Sequence, residues 1–211
     1  MSHTPLLADR THAGEELARV ISDVLTQQTI DSGVKPVPIV YALPREGVPV
    51  AAIARLLNCP LTIIVAKKIS FLNCPLTIIV AKKISYPENP ELAIGAVTSF
   101  GNVLWADQKL FRLKNDARWR EVALNKAINL TKSLEALLIP ACLQMNPEDA
   151  TLILVDDGIA TGMTIAVAAT ALKTLSPAAV WLCTPVAPQT LLPWLEQWGD
   201  RTIVLQTPEP F

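Results

Sequence analysis

No apolar run in this sequence is long enough to cross a bilayer. The longest largely apolar stretch, Met163–Leu172, falls far short of the ~20 residues a spanning helix needs. Basic clusters are missing as well. No run of Lys or Arg exceeds two residues and the formal net charge is −1, which argues against nucleic acid as the main partner. Histidine is scarce: His12 is the only one beyond the first few residues, and an exposed or capping role suits it better than catalysis. Cys59, Cys74, Cys142 and Cys183 show no C-x-x-C spacing, so metal or nucleophile roles are not expected and reduced, buried thiols are. Asp9 and Arg10 precede any apolar segment, so a secretory signal is not expected either. Charged residues make up only 18% of the chain against 51% hydrophobic, so much of its 211 residues should be buried. The expectation is one cytoplasmic domain spanning residues 1–211, bound to neither membrane nor nucleic acid.

What is present is organised around residues 152–164. Leu152-Ile153-Leu154-Val155 reads as a fully buried strand of a parallel sheet. Asp156 and Asp157 follow where it ends, then a short loop with Gly158, Thr161 and Gly162, and then a helix from Met163. A helix N-terminus leaves about four backbone N–H groups unpaired and carries partial positive charge, which suits phosphate. Gly162 lets the backbone approach an anion closely, and the Thr161 and Thr164 hydroxyls can add donors. The two carboxylates would repel that phosphate, so they suit vicinal hydroxyls or a hydrated divalent cation instead. A ligand with phosphate at one end and a diol near a metal is a phosphorylated ribose. The alternative is a strand-ending Asp-Asp-Gly turn followed by a Thr161 cap, but strand, acids and loop coincide here. A P-loop does not fit, because no Lys follows the second glycine.

Val155-Asp156-Asp157-Gly158-Ile159-Ala160-Thr161-Gly162-Met163-Thr164 resembles the 5-phosphoribosyl 1-pyrophosphate (PRPP) motif of type I phosphoribosyltransferases. Ala8-Asp9-Arg10 with Ala13-Gly14 and Leu17-Ala18 is similar to the opening of an uncharacterised bacterial branch of that family. The resemblance implies that Asp156 and Asp157 hold the ribose hydroxyls, directly or through water on Mg²⁺. It also implies that Ala160, Thr161, Gly162, Met163 and Thr164 cradle the 5-phosphate.

A second strand, Val37–Leu43, ends in Pro44-Arg45-Glu46-Gly47 ahead of a helix from Val48, another anion-sized turn with a guanidinium for bidentate phosphate contact. In the resembled family this is the pyrophosphate loop, so Pro44, Arg45, Glu46 and Gly47 take that role here. The branch usually has Gly at the third position. Glu46 would repel pyrophosphate unless it points away or meets the metal.

Between these loops, residues 57–70 recur without change as residues 72–85. Each copy carries one strand, Leu61–Ala66 or Leu76–Ala81, followed by Lys67-Lys68 or Lys82-Lys83. Adjacent parallel strands need a crossover of about a dozen residues, and the linker is shorter, so both copies cannot lie side by side. The second keeps its spacing to Tyr86–Val97 and is favoured for the sheet, with Lys82 and Lys83 toward pyrophosphate. A displaced apolar copy would favour a homodimer. Identity at every position equally fits a recent duplication or an error in the sequence.

The rest alternates strands and helices: an N-terminal helix capped by Asp9 with a stripe of Ala13, Leu17, Val20, Ile21, Val24 and Leu25; a hairpin of Ile94–Val97 and Asn102–Trp105; a helix over Lys114–Leu138; strands Ala178–Cys183 and Ile203–Leu205; and a helix through Leu191–Trp198. That order predicts a doubly wound, mainly parallel α/β sheet with a small hairpin or flap, binding ligands beyond its strand C-termini. The function implied is Mg²⁺-assisted transfer of ribose 5-phosphate from PRPP to a heterocyclic nitrogen acceptor, with Arg45, Asp156 and Asp157 as the catalytic set. Ala160 stands where the resembled 6-oxopurine enzymes carry an acid, which makes hypoxanthine or guanine a less suitable acceptor. A PRPP-sensing regulator or an inactive paralogue is the alternative, motivated by Glu46 and the repeat.

Overall fold

A computed structural model describes residues 7, 9–43, 76–86, 89–106, 117–138 and 145–208. Its centre is a strand buried along its whole length, β6 (Thr151–Val155). β1 (Pro38–Ala42) and β7 (Ala179–Val186) pair with it on either side, and both pairings are parallel. β2 (Leu76–Ile78) lies outside β1 and β8 (Arg201–Gln206) outside β7, giving a five-stranded parallel sheet of order β2-β1-β6-β7-β8.

Side chains alternate across this sheet with the two-residue period of a strand. Ile39, Tyr41, Leu152, Leu154, Val180 and Leu182 face the helix α3 (Met163–Lys173), whose Ile165, Ala168 and Leu172 join the same buried cluster. Val40, Ala42, Ile153, Val155, Trp181 and Cys183 face the other way, onto Leu17, Ala18 and Ile21 of α1 (Arg10–Ser32). Helices therefore cover both faces, as a doubly wound sheet requires.

Beside it stands an antiparallel sheet of β3 (Ala81–Tyr86), β4 (Asn89–Thr98) and β5 (Val103–Trp105). Ile84, Ile94 and Val97 pack there against Ala127 of α2 (Ala117–Leu138). The hairpin expected around residues 99–101 is present, with β4 longer than anticipated and Gly101 at φ 87°.

The second repeat copy lies in the parallel sheet, as favoured, with Leu76 beside Val40 and Ile78 beside Ala42. Its strand ends at Ile78, however, and does not continue to Ala81. The chain passes through buried Ile79 and Val80, then re-enters strand geometry in the antiparallel sheet. Lys82 and Lys83 thus stand on β3, paired with Val97 and Ala96, rather than just past the end of a strand. The first copy lies outside the described residues.

Three further expectations need adjustment. Val20 is 36% exposed, because α1 contacts the sheet through Leu17 and Ile21 and turns Val20 outward. β7 runs on to Val186 because β8 continues beside it, with Thr184 and Val186 opposite Val204 and Gln206. The helix expected through Leu191–Trp198 is a 3₁₀ turn, Gln189–Leu191, followed by a short α4 (Leu192–Leu195). No helix among the described residues is long and apolar enough to cross a membrane. Cys183 is a buried free thiol; Cys59, Cys74 and Cys142 lie outside the described residues.

Candidate functional site

β6 delivers Asp156 and Asp157 to the C-terminal edge of the parallel sheet. The backbone stays tied to β7 past the end of the strand: the Asp156 N–H donates to the Cys183 carbonyl at 3.1 Å and the Ile159 N–H to the Val186 carbonyl at 2.9 Å. These two bonds hold the acid pair against the sheet edge. The Asp157 N–H donates to Asp156 Oδ1 at 3.0 Å, and Arg10 Nη2 lies 3.2 Å from Asp157 Oδ2. Among the described residues, nothing else bonds Asp156 Oδ2 or Asp157 Oδ1. Each acid is braced through one oxygen, and among the described residues its other oxygen is left for a ligand.

The loop then turns into α3 through Gly162, which adopts the left-handed conformation at φ 72°. Glycine is required there twice over, since a side chain would be strained at that angle and a Cβ would collide with the Trp194 indole. The Gly162 carbonyl accepts the Ala166 N–H at 2.9 Å, so the helix is formed from its first turn. No side chain caps it, and Thr161 is left exposed at the loop. The Thr161 cap of the alternative reading is therefore not made, which leaves its hydroxyl and the helix N-terminus to a ligand.

A cavity of about 400 Å³ opens here. Asp156, Asp157, Ala160, Thr161, Gly162 and Thr164 form one wall, and Lys82 and Lys83 stand in another. Ser85 and Leu43, which sequence reasoning did not single out, also line it, as do Ala81, Gly158, Ile159 and Ile165. Met163 is the exception among the loop residues: its side chain is buried in the core, so only its backbone can serve the site. Pro44, Arg45, Glu46 and Gly47 lie outside the described residues.

Charge is unevenly held around the cavity. The Asp156 carboxyl is pushed up to about 7, chiefly by burial and next by the Asp157 carboxylate, while the Asp157 N–H and the Lys83 ammonium pull the other way. An acid poised there responds sharply to an arriving cation. Two braced carboxylates with open oxygens fit a hydrated divalent ion. The described residues hold no cluster of three or more His, Cys, Asp or Glu side chains, so a metal here would need water and substrate as its further ligands.

Arg10 is the residue sequence reasoning missed. It stood in a similarity at the N-terminus, but nothing in the sequence places it beside an acid at position 157.

The sequence profile of the phosphoribosyl transferase domain matches residues 9–196. A protein of Mycobacterium tuberculosis provisionally named a phosphoribosyl transferase is 28% identical over 98% of this chain. The chain spans 41% of the length of that curated relative. On the crystal structure of TT1426 from Thermus thermophilus, the fold superposes with a TM-score of 0.68 at 25% identity, over 97% of this chain and 86% of that one. A hypoxanthine-guanine phosphoribosyltransferase from Bacillus anthracis is a more distant likeness, with 14% identity and a TM-score of 0.44 over 96% of this chain and 79% of that one; no substrate is inferred from it. The chain belongs to the phosphoribosyl transferase domain family.

Proposed function

We propose that the cavity binds PRPP and that the protein transfers its ribose 5-phosphate to a nitrogen of a small heterocycle. The bond from C1 to the pyrophosphate oxygen breaks as the C1–N bond forms. The observation that carries this reading is the meeting, around one cavity, of an acid pair, an uncapped helix N-terminus and two lysines.

Each group has a task matched to its chemistry. The Thr161–Thr164 loop and the first N–H groups of α3 take the 5-phosphate, where backbone donors and the helix dipole favour an anion. Asp156 Oδ2 and Asp157 Oδ1 accept hydrogen bonds from the 2- and 3-hydroxyls, which fixes the ribose ring. Lys82, Lys83 and Arg45 neutralise the leaving pyrophosphate, and Gly47 lets the backbone come close to it. Mg²⁺, held by Asp156 and Asp157 through water and substrate, would add charge compensation to the same leaving group. The transition state resembles an oxocarbenium ion, so most of the catalysis comes from holding the ribose and stabilising departing negative charge. Ala160 places no acid at the rim, which favours acceptors other than 6-oxopurines.

Calorimetric titration with PRPP and Mg²⁺ tests this directly. The native chain should bind in the micromolar range, and Asp156→Asn/Asp157→Asn should abolish the signal. A panel of nucleobases and related heterocycles is then screened for pyrophosphate release. PRPP binding without release from any base would convert the reading to a sensor; no binding by a folded native chain would refute it.

A further inference from the structure

The acid pair is held by more than its own strand. Arg10 reaches Asp157 from α1, at the opposite end of the sequence, yet is not among the residues that line the cavity. Its own position is firmly set. Asp9 caps the helix by accepting the His12 N–H at 2.8 Å, its carbonyl accepts the Ala13 N–H at 2.9 Å, and Leu17, Ala18 and Ile21 root α1 in the sheet. Arg10, the first residue of the helix, is thus presented from a fixed platform. The two partners differ in exposure: the Arg10 side chain is 73% exposed, the Asp157 side chain 18%. A pair with so exposed a cation adds little to stability. Its effect falls on the carboxylate, which would otherwise be free to rotate about χ1 and χ2 at the cavity wall.

We propose that Arg10 is a positioning residue of the sugar subsite. It holds Asp157 Oδ2 so that Oδ1 faces the diol, as the Asp157 N–H holds Asp156 Oδ1 and leaves Oδ2 open. The proposal rests on the ribose-phosphate reading of the site and assigns a role to a residue far from its motif.

Two probes separate the sugar subsite from the phosphate loop: ribose 5-phosphate, which uses both, and inorganic phosphate, which uses the loop alone. Arg10→Gln should weaken ribose 5-phosphate binding about tenfold, the scale of losing a charge-assisted contact to a ligand-holding group. Phosphate binding and melting temperature should stay near native values. Arg10→Lys, which keeps the charge on a different stem, should recover part of the loss. In an Asp157→Asn background, Arg10→Gln should have little further effect, because it acts through Asp157. Native ribose 5-phosphate binding that Arg10→Gln leaves unchanged, or an equal loss for both probes, or additive losses in the double variant would each overturn the proposal alone. Failure of the native chain to bind ribose 5-phosphate would overturn the ribose-phosphate reading and this proposal with it.

Discussion

Replacing Asp156 by Asn should stabilise the ligand-free protein at pH 8 and change it little near pH 4. Burial and the neighbouring Asp157 carboxylate raise Asp156 from 3.8 to about 7 in the folded chain. A group raised on folding supports the folded state below its unfolded value, and that support is lost as pH climbs through the folded one. At ~1.36 kcal/mol per pH unit the whole span is about 4 kcal/mol. By the same linkage, roughly 2.5 kcal/mol of it is lost between pH 5 and pH 8. Asn keeps the Oδ1 that accepts the Asp157 N–H but cannot ionise, so it escapes the loss. For a chain of this size the difference corresponds to a melting temperature gap that widens by about 5–10 °C between those two pH values. The assay is thermal unfolding of native and Asp156→Asn protein from pH 4 to pH 8, with EDTA present and no phosphate. Taking the difference between the two proteins removes every other titrating group. Asp157→Asn should narrow the effect, since it takes away the like charge. A gap that stays constant with pH, or a variant less stable than native at pH 8, would show that Asp156 is not strained by ionisation and that the site is wetter than its packing implies.

Other expectations follow from single contacts. Gly162→Ala should cost ~1–3 kcal/mol of stability in urea denaturation, from positive φ and collision with Trp194, and should abolish phosphate binding by twisting the loop. Leu154→Ala removes a fully buried side chain from the central strand and should cost about 2–5 kcal/mol in the same assay. Lys83→Ala should weaken PRPP binding several-fold, with a shallower salt dependence by calorimetry, because it removes one cation from the cavity wall. An unchanged affinity would remove Lys83 from the site.

The strand–acid–loop–helix unit at 152–164 was legible from sequence because every part of it is local. Strand length, the acid step, the glycine and the helix start all follow from neighbours within a few residues. Burial of the central strand on both faces was legible for the same reason, since Leu152–Val155 is a continuous apolar run, but such a run does not show which residues face α1 and which face α3. What only the tertiary structure decided depends on approach between distant segments. The repeat could not choose its own place, because its two copies are identical; pairing of Leu76–Ile78 with β1 made the choice for the second. The lysine pair was expected just past the end of a strand, because nothing local shows that β4 will pair with residues 81–86 and draw them into a strand of their own. Trp194 packs on Gly162 only because β7 returns the chain past the start of α3. Arg10 meets Asp157 because α1 lies across the sheet, rooted by Leu17 and Ile21 on β7 and β8. Residue type and spacing determined which chemistry was on hand, and long-range packing determined which atoms face it.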